Sequence, residues 1–233
     1  MGRTAPSHGT SWACILLWCQ ALRGVRQHVN PLGLHFQVPR AQRVEAPASF
    51  PHDASTEVEL GCADGKFSFD LARACPETFV VGLEIREPLV ERNEAIARHE
   101  GIDNLRFSYV NLNVDLDRVF ADNSVDRFHL LFPDPHFKNR HRKRRVVDRE
   151  FCRVVARQLR PGGELHVASD IFDVALDAMA ALEDPAIEEL GLRSVSGPWS
   201  FVRGNPYPVT SRREDTTVAR GQRVWRVVYR LVG

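Results

Sequence analysis

No two cysteines in this 233-residue chain stand in CxxC spacing, and the five present (Cys14, Cys19, Cys62, Cys75 and Cys152) are odd in number. That argues against a disulfide framework and a zinc site alike, and fits a reducing, cytoplasmic setting. The nine histidines form no HExxH or paired-ligand pattern, so no metal is expected. Long hydrophobic runs are also missing. The apolar stretch from Trp12 to Leu22 falls short of the roughly 20 residues a membrane span needs. It makes a poor signal peptide too, with only Arg3 before it and no small-x-small cleavage site after it. Residues 1–44 lack any acidic side chain but carry Arg3, Arg23, Arg26, Arg40 and Arg43. They read as a poorly ordered N-terminal arm that could also face nucleic acid, leaving residues 45–233 as one domain. There is no internal repeat and no low-complexity segment.

What is present is ordinary in amount and uneven in distribution. The chain is 43% hydrophobic and 26% charged, as soluble globular domains are. Its net charge of +1 hides a +6 run over residues 138–145, so the remainder sums to about −5. A second basic segment, residues 191–233, holds eight arginines against Glu214 and Asp215. Two basic patches on a neutral chain indicate a localised footprint for a polyanion.

From residue 55 strand and helix patterns alternate. Thr56–Leu60, Thr78–Ile85, Leu105–Val110, Val125–Phe132, Glu164–Ser169 and Val224–Leu231 read as strands. Lys66–Ala74, Pro88–His99, Asp148–Leu159 and Val174–Leu182 read as helices, and Pro161-Gly162-Gly163 as a type II turn. Repeated βα units predict an α/β fold with a doubly wound, mainly parallel sheet. Ligands of such sheets lie over the carboxyl ends of the strands.

Glu59-Leu60-Gly61-Cys62-Ala63-Asp64-Gly65 follows a strand and opens a helix. A dinucleotide loop would need GxGxxG, but Ala63 takes the second position and no glycine takes the third. The spacing instead resembles the E/D-x-G-x-G-x-G loop of class I S-adenosylmethionine-dependent methyltransferases, which are Rossmann-like. Glu84 ends the next strand, where a carboxylate can accept from both ribose hydroxyls of an adenosine. Asn111, after the third strand, stands where methyltransferases contact adenine; it could equally be a turn residue.

The most distinctive stretch is Phe132-Pro133-Asp134-Pro135-His136-Phe137-Lys138, which runs into Asn139-Arg140-His141-Arg142-Lys143-Arg144-Arg145. A Pro-locked acidic turn at a strand end is followed at once by six cations. With Gly82-Leu83-Glu84-Ile85, Leu159-Arg160-Pro161-Gly162-Gly163, Ala168-Ser169-Asp170 and the Gly221-x-x-Val224-Trp225 ending, it resembles the tRNA (guanine-N7)-methyltransferase family from about residue 55 onward. That resemblance implies S-adenosylmethionine as cofactor, tRNA as partner and guanine 46 of the variable loop as target. It places Glu59, Gly61, Gly65, Glu84, Asn111 and Asp134 on the cofactor side, with Asp134 also catalytic. Lys138, Asp170, Ser211, Arg212, Arg213 and Glu214 would face the guanosine, and Arg140, His141, Arg142, Lys143, Arg144 and Arg145 the RNA. It implies no membrane and no obligatory protein partner for a monomer or homodimer.

Departures and alternatives accompany the match. The family's C-terminal Thr-x-aromatic-Glu reads Ser211-Arg212-Arg213-Glu214 here, and Asn111 replaces a common aspartate. Asp170 can also be read as a helix cap, Ser211 and Glu214 as a surface capping pair, and the basic run as a solvated charged turn. A methyltransferase for another RNA, or a non-catalytic RNA-binding protein on the same fold, would share much of the pattern. The latter should have a damaged cofactor loop, and Ala63 is the one residue that hints at it.

Overall fold

The computed structural model describes residues 29–36, 38–48, 50–51, 53–135 and 146–233. Seven strands form one sheet: β1 (Ser55–Leu60), β2 (Thr78–Glu84), β3 (Leu105–Tyr109), β4 (Val125–Leu131), β5 (Leu159–Ser169), β6 (Leu192–Ser194) and β7 (Trp225–Leu231). Their order is β3-β2-β1-β4-β5-β7-β6. All pairings from β3 to β5 are parallel, while β7 runs antiparallel to both β5 and β6. The helices are α1 (Lys66–Ala74), α2 (Glu87–Glu100), α3 (Leu116–Val119), α4 (Arg149–Gln158), α5 (Phe172–Leu182), α6 (Pro185–Glu188) and α7 (Arg212–Ala219). The expected doubly wound sheet is therefore present, with short β6, α3, α6 and the polar α7 added to what periodicity foresees.

Side chains alternate along each strand, and this divides the interior into two chemistries. On one face Val58, Leu60, Val81, Leu83, Phe128, Leu130, Leu165, Val167 and Val227 form a continuous apolar core with Phe151, Val155, Met179 and Leu182 of α4 and α5. The opposite face is apolar near β2 and β3, where Phe67, Phe69, Val90, Ile96 and Phe107 pack. Across β1, β4 and β5 it is ionic. Glu57 accepts from Arg127 at 2.6 Å and bonds His129 Nε2 at 2.8 Å; Arg127 also reaches Glu164 at 3.1 Å. The Tyr207 ring covers this network, with the Arg127 guanidinium 4.7 Å from its centroid.

The Pro161-Gly162-Gly163 turn lies inside β5. Leu159 already pairs with Val125, and pairing resumes at Glu164 opposite Arg127. The turn is thus a bulge, with Gly162 at φ 84°. Residues 30–36 and 38–44, expected as part of a poorly ordered arm, touch the domain at several points. Arg40 N donates to Asp115 at 2.9 Å, the Arg40 guanidinium pairs with Glu87 at 3.0 Å, and Val44 N donates to Val119 O at 2.9 Å. No helix among the described residues is long and apolar enough to cross a membrane.

Candidate active site at the switch point

The chain travels outward from β1 to β3 and returns to place β4 against the free side of β1. A crevice opens where the order reverses, at the carboxyl ends of β1 and β4. The Gly61 loop follows β1 and the Phe132–Pro135 segment follows β4, so sheet order alone makes them neighbours.

Three residues of the first loop have left-handed backbones: Gly61 (φ 81°), Ala63 (φ 48°) and Gly65 (φ 75°). Their glycines serve different ends. A Cβ on Gly65 would come within 2.9 Å of the Phe107 ring, and one on Gly82 within 2.5 Å of it, so these two admit Phe107 beneath the loop. A Cβ on Gly61 would meet nothing within 4 Å. Gly61 therefore leaves backbone open to a ligand. Ala63 holds its conformation through Ala63 N to Glu84 Oε2 at 2.9 Å and Asn93 Nδ2 to Ala63 O at 3.0 Å.

Glu84, 4% exposed, also receives Arg86 N at 2.9 Å, Arg86 Nε at 3.0 Å and Arg86 Nη2 at 2.9 Å. A ribose using this carboxylate would have to exchange with the Arg86 guanidinium. Burial opposes the charge on Arg86, but its bonds to Glu84, with Cys62 and Asp134 contributing further, hold its pKa above the usual value. Arg86 thus stands electrostatically between Glu84 and Asp134. Glu59 points at α1 and accepts from Ser68 N at 3.1 Å and Ser68 Oγ at 2.5 Å. Burial pushes its carboxyl up to about 8. Asn111 spends both amide hydrogens on the N-terminal segment, donating to Pro31 O at 2.8 Å and Phe36 O at 2.9 Å.

Asp134 is half-buried. The residue that launches its turn, Phe132, is left-handed at φ 51° and donates its N–H to Ala168 O at 2.7 Å. A left-handed residue ahead of a proline is strained, and strain of this kind clusters at ligand sites.

α7 closes the crevice from the C-terminal side. Ser211 caps it by accepting Glu214 N at 3.2 Å. Both residues are buried, at 8% and 3%, so this is no surface pair. Glu214 receives the Arg226 guanidinium, and Arg212 pairs with Asp64 of the glycine loop. Arg213 pairs with Asp170, and Lys66 Nζ with Asp215 at 3.1 Å. Asp170 is not a cap: Ile171 holds the N-cap position of α5, with no side-chain cap bond, and Ser169 Oγ accepts Ile171 N at 3.1 Å. Lys138, Arg140, His141, Arg142, Lys143, Arg144 and Arg145 lie outside the described residues. Among the described residues no cluster of His, Cys, Asp and Glu could hold a metal.

Sequence alone singles out neither Arg86 nor Asn93, and Asp64 only as part of the glycine loop. Only Arg86 carried a local signal, a cation two residues past the strand-end carboxylate.

The seven-stranded order, the glycine turn after β1 and the carboxylate ending β2 define a class I methyltransferase fold. Solved structures agree. The 16S rRNA methyltransferase KamB superposes with TM-score 0.54 at 17% identity, covering 83% of this chain and 100% of that one. An S-adenosylmethionine-dependent methyltransferase from Aquifex aeolicus gives 0.51 at 14% identity, covering 76% and 82%. A family model described as putative methyltransferase matches residues 53–227. The tRNA (guanine-N(7)-)-methyltransferase of Trichormus variabilis is 38% identical over 212 residues, covering 88% of this chain and 94% of that protein. That of Synechococcus elongatus is 36% identical over 213 residues, covering 88% and 95%. The chain belongs to the tRNA (guanine-N7)-methyltransferase family.

Proposed function

We propose that this protein transfers the methyl group of S-adenosylmethionine to N7 of guanine 46 in the variable loop of tRNA, acting in the cytoplasm as a monomer or homodimer. The observation that carries the reading is the meeting of the Gly61 loop and the Asp134 turn at the switch point. The residues present fit the cofactor: Gly61 exposes backbone, and Glu84 offers a strand-end carboxylate. Glu59, Gly61, Gly65, Glu84, Asn111 and Asp134 would line its site. When bound, it supplies an electrophilic methyl on a sulfonium.

The protein's own task is orientation. Guanine N7 carries a lone pair at neutral pH, so no strong general base is required. Holding N7 toward the donor can lower the barrier by several kcal/mol. A carboxylate such as Asp134 or Glu214 accepting from N1–H and the N2 amine would distinguish guanine from adenine. Lys138, Asp170, Ser211, Arg212, Arg213 and Glu214 would surround the guanosine. Extracting the base costs a few kcal/mol, offset by phosphate contacts from Arg140, His141, Arg142, Lys143, Arg144 and Arg145.

The test is incubation with methyl-labelled S-adenosylmethionine and bulk tRNA, followed by nucleoside analysis. Label should appear in N7-methylguanosine and vanish in transcripts with adenine at position 46. Asp134→Ala should abolish incorporation without changing thermal unfolding. Label in another nucleoside, or none, overturns the reading.

A further inference from the structure

Beyond the crevice, three aromatic rings meet at the same edge of the sheet. Trp225 opens β7 and pairs with Ser169, which puts it beside the carboxyl end of β5 and next to Asp170. Phe172, two residues past Asp170, has its ring centroid 4.7 Å from that of Trp225. Phe201 lies 5.0 Å from Trp225 and 6.0 Å from Phe172. Arg223 lays its guanidinium 3.9 Å from the Trp225 centroid. The cluster is not sealed: Phe172 is 42% exposed, and both Arg223 and Arg203 are exposed.

A ring left this open next to a guanidinium stacked on tryptophan makes a surface flat, apolar and cationic at once. Nucleobases are recognised by such surfaces, stacking on aromatic rings and on arginine planes. The charge agrees: of the arginines in residues 191–233, Arg193, Arg212, Arg213, Arg226 and Arg230 pair with acids, while Arg203, Arg220 and Arg223 are exposed. Location then narrows the occupant. β7 lies two strands from β4, or about 10 Å at the usual strand spacing. That is too far for the base reacting at Asp134 and within reach of a neighbouring nucleotide. A base drawn out of its stack leaves such a neighbour in need of a new partner.

We propose that Phe172, Trp225 and Arg223 form a stacking platform for an unpaired tRNA base adjoining the one that is methylated. The platform rests on the proposed tRNA activity and adds a second contact surface to it.

The experiment uses the full chain and measures tRNA affinity by filter binding across a salt series, with S-adenosylmethionine affinity alongside. Phe172→Ala should weaken tRNA binding about 5- to 150-fold, the range found for base stacking. Affinity for S-adenosylmethionine and the slope of log affinity against log salt should both stay unchanged, because no phosphate contact is removed. Phe172→Tyr should bind tRNA as wild type does. Phe172→Leu, which keeps apolar area without an aromatic face, should remain weak. Arg223→Ala should weaken binding as well. Wild-type tRNA affinity in Phe172→Ala overturns the platform, and so does full rescue by leucine. Altered self-association with unchanged tRNA binding would assign the patch to a protein interface and overturn it too. A wild-type protein that methylates no tRNA removes the underlying function itself, a result distinct from any of these.

Discussion

Asp170, at the carboxyl end of β5, is gripped by Arg213 of α7 through Nε at 2.9 Å and Nη2 at 2.8 Å. Arg213 occupies the position where the family pattern carries an aromatic residue. The structure thus shows what that departure does: a fork-shaped cation ties α7 to the strand end by charge. Arg212 does the same for the glycine loop through Asp64.

This pair separates two roles for Asp170. The Arg213 side chain is 60% exposed, so losing the bridge should cost only about 0.5 kcal/mol or less. If Asp170 also faces the guanosine, Asp170→Ala should lower kcat/KM for tRNA at least about tenfold, a loss of roughly 1.4 kcal/mol in transition-state binding, while thermal unfolding shifts little. A near-wild-type kcat/KM in steady-state assays would reduce Asp170 to an anchor for Arg213.

Glu59 predicts a loss of stability as pH rises from about 4.5 to about 8. Burial pushes its carboxyl up to about 8 despite the Ser68 bonds, and the charges of Asp64 and Glu84 add to the rise. The unfolded chain releases this proton near 4.5. Between those values the folded protein holds a proton that the unfolded one has lost, so stability falls as pH rises and levels off above 8. Glu59→Gln imitates the protonated acid. Urea titrations should find the variant more stable than wild type at pH 8 by on the order of 1 kcal/mol, with the difference shrinking toward pH 5. A constant difference would mean Glu59 does not titrate in this window.

The buried histidine pair predicts the acid side. His129 Nε2 donates to Glu57 at 2.8 Å, so its Nδ1 must accept from His166 Nδ1–H at 3.3 Å. That leaves the His166 Nε2 lone pair in the interior without a partner. Burial holds both rings below the ordinary 6.5, and His166 falls further because the charges of His129, Arg226 and Arg127 also oppose its protonation. The unfolded chain therefore binds protons that the folded protein refuses. Stability present above pH 6.5 is lost as pH falls beneath it, at up to about 1.4 kcal/mol per pH unit per ring. His166→Leu should lower stability at pH 7 by about 1–3 kcal/mol, since His129 Nδ1 loses its donor, yet lose less on going from pH 7 to pH 5. An unchanged acid limb in thermal melts would exclude His166 as its source.

The glycine loop predicts opposite signs at neighbouring positions. Gly65→Ala imposes a left-handed alanine and a 2.9 Å contact with Phe107, for a loss of about 2–3 kcal/mol. Ala63→Gly relieves a strained φ of 48° and should be neutral or stabilising by up to about 1 kcal/mol. Denaturant midpoints of the two variants should fall on opposite sides of wild type or on one side of it only for Gly65→Ala; a destabilised Ala63→Gly would show that the loop is not under strain there.

Much of the scaffold was legible because its signals are local. The pattern places the helix Lys66–Ala74 at the limits it takes and β1, β2, β3, β4 and β7 within a residue, since apolar periodicity and turn glycines act over a few positions; β5 starts five residues before the expected Glu164, and the short β6 carries no such signal. α7 was missed because Arg212-Arg213-Glu214-Asp215-Thr216-Thr217 has no apolar stripe; it is held by a cap and by ion pairs instead. The helix-cap alternative for Asp170 fails because Ile171 takes the N-cap position, and Asp170 is held instead by Arg213 from a distant part of the chain.

The sequence by itself determined the class of fold, the family, and which short segments carry its chemistry, because each is written in contiguous residues. Tertiary structure alone decided who meets whom. Arg86 lies on Glu84, Asn111 holds the N-terminal segment, Arg213 claims Asp170, and Phe172 joins Trp225 across β5 and β7. Most of these partnerships depend on which strand ends and helices are packed side by side. That is a property of strand order and packing, and no window of residues contains it.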